Sequence, residues 1–181
     1  MLEIPEDLDP SLVPLAFLLG TWEGAGVADL SAAGGDPEAT SVNFGQEVTF
    51  SQDGRAVLEY SSHTWELGES GRKVRPIDSE HGYWRFAPDA RTVEITMTRD
   101  DGTIEIWYGN LADKKPQIDL VTDAVARIPS APAYTGGKRL YGLVGGDLMW
   151  VFERAADKQA LKPFMSAQLR KVPENGLAFH P

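Results

Sequence analysis

The sequence predicts an all-β protein, a ten-stranded antiparallel β-barrel preceded by one short N-terminal helix. Three observations carry this. Apolar and polar residues alternate over much of the 181-residue chain, the period of a half-buried strand. Turn clusters rich in Gly and Asp separate the alternating runs. Connections that short force antiparallel neighbours, because a parallel crossover needs about a dozen residues. Almost no segment repeats at helical spacing. Many close-set strands mean a sandwich or a barrel. Closing about ten of them hides every edge and leaves a lumen that holds a small ligand.

The elements follow in chain order. Residues 1–9 are an N-terminal tail. Asp9-Pro10-Ser11 reads as a cap with proline at an early helical position. Leu12, Leu15, Leu18 and Leu19 then recur at helical spacing until Gly20 stops the run. About three turns are too few to stand alone, so this helix is expected to pack as a plug or lid. Ten strands are expected over 21–29, 43–51, 55–65, 76–86, 92–98, 102–110, 117–122, 138–143, 147–154 and 164–171. Val93, Ile95 and Met97 share one face, as do Leu148, Trp150 and Phe152, and Phe44, Val48 and Phe50. Gln52-Asp53-Gly54, Asp100-Asp101-Gly102 and Gly145-Gly146-Asp147 supply residues that tolerate positive φ in hairpin turns. Residues 30–40 read as a loop, 128–137 as a Pro/Gly-rich segment crossing the barrel mouth, and 173–181 as a frayed tail. One domain spans 10–172.

Composition removes several function classes. Lys and Arg number 17 against 27 Asp and Glu, a formal charge of -10. A surface that acidic repels phosphate backbones and anionic lipid heads. There is no cysteine, which removes disulfides, thiolate catalysis and zinc–thiolate sites. The first ten residues lack a secretion signal's basic start and apolar run, and no stretch approaches the roughly 18 apolar residues of a membrane span. The expected compartment is the cytoplasm. No Ser-His-Asp set, phosphate loop or metal-binding helix motif is present, so no catalytic residue and no metal ligand is assigned.

Gly20-Thr21-Trp22-Glu23-Gly24-Ala25-Gly26 has the form Gly-x-Trp-x-Gly-x-Gly. Gly20 ends the helix, Trp22 enters the first strand as a large plug, and Gly24 and Gly26 permit strand bending or close backbone approach. The motif resembles the one near the N-terminus of nitrobindins, barrels related in shape to fatty-acid-binding proteins and lipocalins. Other segments agree in order. Residues 15–19 look like the helix leading into the motif, and 46–50 like the second strand. Ser79-Glu80-His81-Gly82-Tyr83-Trp84-Arg85 is similar to the family's Ser-Glu-x-Gly-Tyr-x-Arg segment, and 161–172 looks like the last strand.

The resemblance implies haem b near the open end of a ten-stranded barrel. One histidine would hold the ferric iron in a site that reacts with nitric oxide and isomerises peroxynitrite to nitrate. That histidine sits in a Leu-x-x-His pattern at the start of the last strand. Here the pattern reads Leu161-Lys162-Pro163-Phe164, and a phenyl ring has no lone pair for iron. Asp78 stands where many relatives carry a second histidine, and the loop 129–133 lacks a lysine that some relatives place there.

Asp78, Glu80, His81, Tyr83, Arg85, Trp150 and Phe164 are the candidate lumen residues. Glu80, Tyr83, Arg85 and Arg139 are expected to form an internal polar network, with Arg85 alternatively meeting an anionic ligand. Trp65, Trp84, Trp107 and Trp150 are expected on the barrel wall. His63 shares a face with Glu59 and Ser61 and is expected in solvent. His180 lies in the tail. His81 is the one histidine near the family's pocket. Met165, beside Phe164, is expected to face the other way.

The expected function is therefore a nitrobindin-like barrel with a degenerate haem site, binding a small apolar or amphipathic molecule in its lumen. No cofactor is expected unless a substitute ligand holds haem b. Two alternatives stay open, a haem-dependent peroxynitrite isomerase using such a ligand and a structural barrel filled by its own side chains. A homodimer stays open as well.

Overall fold

The computed structural model describes residues 4–29, 41–88, 91–156 and 160–173. The expected loop 30–40, His180 and the tail beyond residue 173 lie outside the described residues. Ten strands close into one antiparallel ring: β1 (Gly20–Asp29), β2 (Ser41–Ser51), β3 (Leu58–Leu67), β4 (Lys73–Phe86), β5 (Thr92–Arg99), β6 (Thr103–Leu111), β7 (Gln117–Arg127), β8 (Tyr134–Val144), β9 (Asp147–Ala156) and β10 (Lys162–Lys171). Each strand pairs with its neighbours in sequence, and β1 pairs with β10 to complete the ring. The turn glycines Gly54, Gly102, Gly145 and Gly146 all take positive φ, as their places between paired strands require.

The N-terminal segment Pro10–Leu18 is helical but winds as a 3-10 helix. Pro14, inside the segment, lacks the N–H that α-helical bonding would use, while Pro10 sits at the first position, where none is needed. Asp9 caps it, accepting from the Ser11 backbone N–H at 2.9 Å. Leu12, Leu15 and Leu18 are fully buried in the same core as the strand residues. The Trp22 indole N–H donates to the Leu18 carbonyl at 2.7 Å. The helix thereby seals the end of the barrel where β1 begins.

Two strands run further than period-two alternation suggests. β7 continues to Arg127, with a register shift opposite Ile106 and Trp107. β8 begins at Tyr134, so only 128–133 joins β7 to β8. Gly136 and Gly137 belong to the strand. A Cβ on Gly137 would lie 2.5 Å from the Phe152 ring and 2.8 Å from the Glu153 carbonyl. Close packing, rather than a turn, explains the glycine there.

The interior is graded from one end to the other. On β9 the inward residues run Leu148, Trp150, Phe152, Arg154, and on β5 they run Val93, Ile95, Met97, Arg99. β6 descends from the mouth as Thr103, Glu105, Trp107. The helix-sealed half is thus aromatic and aliphatic, and the half under the mouth is charged.

The motif glycines earn their place by proximity. A Cβ on Gly24 would stand 2.1 Å from the Gln168 carbonyl oxygen, and one on Gly26 would stand 2.1 Å from the Ser166 carbonyl oxygen. Neither neighbour is a flexible side chain, so β1 and β10 would have to part. Gly24→Ala is expected to lower stability by about 1–3 kcal/mol, the usual cost of overpacking, read as a lower urea midpoint. An unchanged midpoint would mean that the seam between β1 and β10 separates freely.

Candidate functional site

The charged half of the interior is built around Glu80, which is 3% exposed. Its carboxylate accepts a bidentate pair from Arg139, with Nη1 at 2.9 Å from Oε2 and Nη2 on Oε1. The Tyr60 hydroxyl donates to Oε2 at 2.9 Å, and Arg99 Nη1 lies 3.2 Å from Oε1. Arg99 also holds Asp78 at 2.9 Å. Glu80 comes from β4 and Arg139 from β8, four strands away around the ring. Their pair therefore spans the lumen and fills it at that height. Arg139 packs its guanidinium 4.3 Å from the Phe152 ring centre and 5.0 Å from that of Trp107. Below, Trp150 donates from its indole to Gln46 at 2.8 Å, and Gln46 donates to Ser62 at 2.9 Å.

Above the pair, toward the mouth, satisfaction ends. Glu105 is fully buried, and the Tyr134 hydroxyl is the neighbour that bears on its carboxylate as a hydrogen-bonding group, without reaching strict hydrogen-bond geometry. The Thr103 hydroxyl and the Nε and Nη2 of Arg154 have no hydrogen-bond partner among the described residues. Arg154, 4% exposed, has its guanidinium 4.7 Å from the Tyr134 ring centre and 5.1 Å from that of Phe164. Phe164 is 6% exposed and sits edge-on to Phe152 at 5.5 Å. On the outer wall it borders a cleft of about 360 Å³ along the β9–β10 seam, shared with the exposed Val27 and Val151 and with Met165.

The expected residues divide by strand parity. Asp78, Glu80, Trp150 and Phe164 come together in the interior, with Arg139. His81, Tyr83 and Arg85 do not. They alternate with the buried Glu80 and Trp84 along β4 and therefore point outward. Arg85 pairs with Glu94 on the outer wall at 3.3 Å, so it belongs to no internal network and meets no ligand in the lumen. The His81 ring lies 5.5 Å from that of His63, also on the outer wall. Trp84, Trp107 and Trp150 line the interior, while Trp65 packs outside under the Lys73 ammonium at 3.7 Å.

Met165 departs from simple alternation. The register shifts between Pro163 and Met165, which pairs with Phe152 on one side and Ala28 on the other. Phe164 and Met165 are consequently both buried. Arg99, Glu105, Tyr134 and Arg154 were not expected at this site. Extending the inward faces of Val93–Met97 and Leu148–Phe152 by two residues would have found both arginines.

Burial and neighbours set the charges. Burial pushes the Asp78 carboxyl up to about 7, with the Glu80 charge adding to it and Arg99 opposing it. Burial also pushes Glu80 up, but Arg139, Arg99 and Tyr60 outweigh it and hold the carboxyl at about 2. Burial raises Tyr134 well above the phenol range, and the Glu105 charge raises it further. Burial lowers Arg154, and the like charge of Arg99 lowers it more.

These shifts fix a pH dependence. Above the unfolded aspartate value of 3.8 and below about 7, folded Asp78 holds a proton that the unfolded chain has released. Its contribution to stability therefore falls as pH rises through that window. Glu80 acts oppositely. Its stabilisation is complete above the unfolded value of 4.5 and is lost as pH falls toward about 2. The urea midpoint is expected to rise on acidification from about pH 8 to about pH 5 and to fall below that. Asp78→Asn should flatten the first limb. Glu80→Gln should cost about 3–5 kcal/mol at neutral pH by leaving buried arginines uncompensated. Equal slopes in wild type and Asp78→Asn would remove Asp78 from this account.

Comparison with known proteins agrees with the barrel. A family model described as "THAP4-like, heme-binding beta-barrel domain" matches residues 11–171. A "Ferric nitrobindin-like protein" of Streptomyces griseus is 62% identical over 172 residues, covering 95% of this chain and 87% of that protein. A "Peroxynitrite isomerase" of Nocardioides sp. is 42% identical over 167 residues, covering 92% and 96%. The crystal structure of Rv2717c from M. tuberculosis superposes with a TM-score of 0.78 at 26% identity, covering 92% of this chain and 99% of that one.

Proposed function

This chain belongs to the nitrobindin family of haem-binding β-barrels, and we propose that in it the iron-ligating position has passed to carbon, leaving a mouth that binds a small amphipathic molecule without a metal. The observation that carries this is the buried Phe164 ring, packed on Phe152 and beside Arg154, at the place where the family pattern calls for histidine. Iron needs a lone pair from the wall, and this wall offers a phenyl edge. The donor set around it does not fit a histidine-anchored haem. Among the described residues, His63 and His81 are both on the outer wall, and no cluster of three His, Cys, Asp or Glu residues is placed to hold a metal. The Met165 thioether is the one soft donor beside Phe164.

The same corner suits a molecule with an apolar body and a polar end. Phe152, Phe164 and Tyr134 offer ring surface, and Arg154 supplies a charge. The Glu80–Arg139 pair forms a floor, so a ligand lodges above it, near the mouth. On this reading the protein binds and carries rather than catalyses.

Titration with hemin tests the proposal. Wild type is expected to give a weak, broad Soret change with no defined stoichiometry. Phe164→His is expected to give a sharp one-to-one band and at least a tenfold gain in affinity. A sharp wild-type band, especially one abolished by Met165→Leu, would overturn the loss of the ligand. No gain in Phe164→His would overturn the open mouth.

A further inference from the structure

We infer that the mouth recognises its ligand through a planar oxyanion of carboxylate geometry, held side-on by Nε and Nη2 of Arg154. The inference rests on the mouth-binding reading above and adds the chemical class of the ligand.

Three buried guanidiniums lie under the mouth, and two are committed. Arg139 is bound bidentately to Glu80, and Arg99 lies between Asp78 and Glu80, with Asp101 at 3.7 Å from its Nε. Among the described residues Arg154 has no ion-pair partner, although it is as buried as the other two. Burying a charge without a partner costs several kcal/mol, and an unsatisfied buried group signals a missing water, ion or ligand. The identity of the free atoms narrows the choice. Nε–H and one Nη2–H of a guanidinium point in parallel, and together they match the two oxygens of a carboxylate. Among the described residues no Arg154 nitrogen has a partner, and Nε and Nη2 are the two that are also sealed from water.

The surroundings of Arg154 favour an anion over any other guest. Tyr134 and Phe164 lie against the guanidinium and offer π-surface, which suits a cation but cannot neutralise it. The nearby Arg99 repels Arg154, while Asp101 and Asp78 attract it from a distance without pairing with it. A bound oxyanion supplies the direct partner those carboxylates do not, and a cationic ligand would add to the burial and the repulsion. A carboxylate seated on Arg154 places its carbon chain or ring against the Tyr134 and Phe164 rings, with Phe152 behind them. The ligand class is accordingly a small carboxylic acid with an apolar body. Inorganic nitrate or formate shares the head-group geometry without the body.

Calorimetric titration of the full chain with four probes tests this: decanoate, decanol, sodium formate and sodium nitrate. The proteins are wild type, Arg154→Met and Arg154→Lys. Decanoate is expected to bind wild type at least tenfold more tightly than decanol. Arg154→Met should remove that preference, and Arg154→Lys should restore little of it, because an ammonium lacks the paired fork. Both variants are expected to fold, since no ion pair is broken, and Arg154→Met should melt at or above the wild-type temperature. Equal binding of decanoate and decanol, or an unchanged preference in Arg154→Met, would overturn the oxyanion inference while leaving the amphipathic mouth standing. Formate or nitrate binding that depends on Arg154, with no gain for decanoate, would keep the oxyanion site and overturn the amphipathic reading. No binding of any probe would overturn both.

Discussion

The lumen is organised by one buried carboxylate. Glu80 receives hydrogen bonds from β8 through Arg139 and from β3 through Tyr60, and it pairs with Arg99 from β5. The Arg139 contact crosses the barrel, whereas the Tyr60 and Arg99 contacts, like the backbone ladders, join β4 to its immediate neighbours. A ring of ten strands held by ladders alone could flatten, and this cross-brace fixes its section. The arrangement demands that both arginines stay. Removing either would strand charge in a medium where desolvation is expensive, and replacing Glu80 would strand two.

The brace also divides the barrel into two solvents. Below it the chain can use ordinary aromatic packing: Phe50 meets Trp84 edge-on at 5.2 Å, and Trp84 meets Tyr141 in the same way at 5.2 Å. Above it, among the described residues, Glu105 and Tyr134 face each other without strict hydrogen-bond geometry and Arg154 has no partner. Each such group costs more than a hydrophobic replacement. Below it the Trp84 indole N–H is unsatisfied too, but the buried charged groups without good partners gather under the mouth. The end sealed by the 3-10 helix keeps the Trp22 indole paired. On the proposed reading this asymmetry separates the part that holds the fold from the part that meets a ligand.

Much of this was legible in the residues. Alternation located all ten strands, because each has one face in water and one in the core. The turn glycines placed the hairpins, because positive φ is costly for other residues. The failures came where alternation competes with something else. Gly136 and Gly137 read as loop because glycine usually marks turns, yet they make room for Phe152. Met165 was expected outside because a bulge resets the parity, and a bulge has no sequence signature here. Tyr83 and Arg85 were grouped with Glu80 by motif proximity, although an odd separation along a strand sends them to the opposite face. Arg99 and Arg154 escape a reading that follows each inward face only as far as its apolar residues, to Met97 and Phe152. The position of a residue in the period is a stronger guide to its side than its charge is.

The change at position 164 and the state of Arg154 belong to one argument. A metal-anchored ligand is held chiefly by a bond to iron, so the cavity around it needs only shape. On the proposed reading, with carbon at the anchoring position, affinity comes from apolar contact and from hydrogen bonds left unmade among the described residues. Arg154 stands beside Phe164, 5.1 Å from its ring, and offers such hydrogen bonds. The coordinate bond and the guanidinium fork are alternative ways of fixing one end of a flat or elongated guest. The proposal has a phenyl ring closing the first and a buried guanidinium, with no ion-pair partner among the described residues, holding the second open.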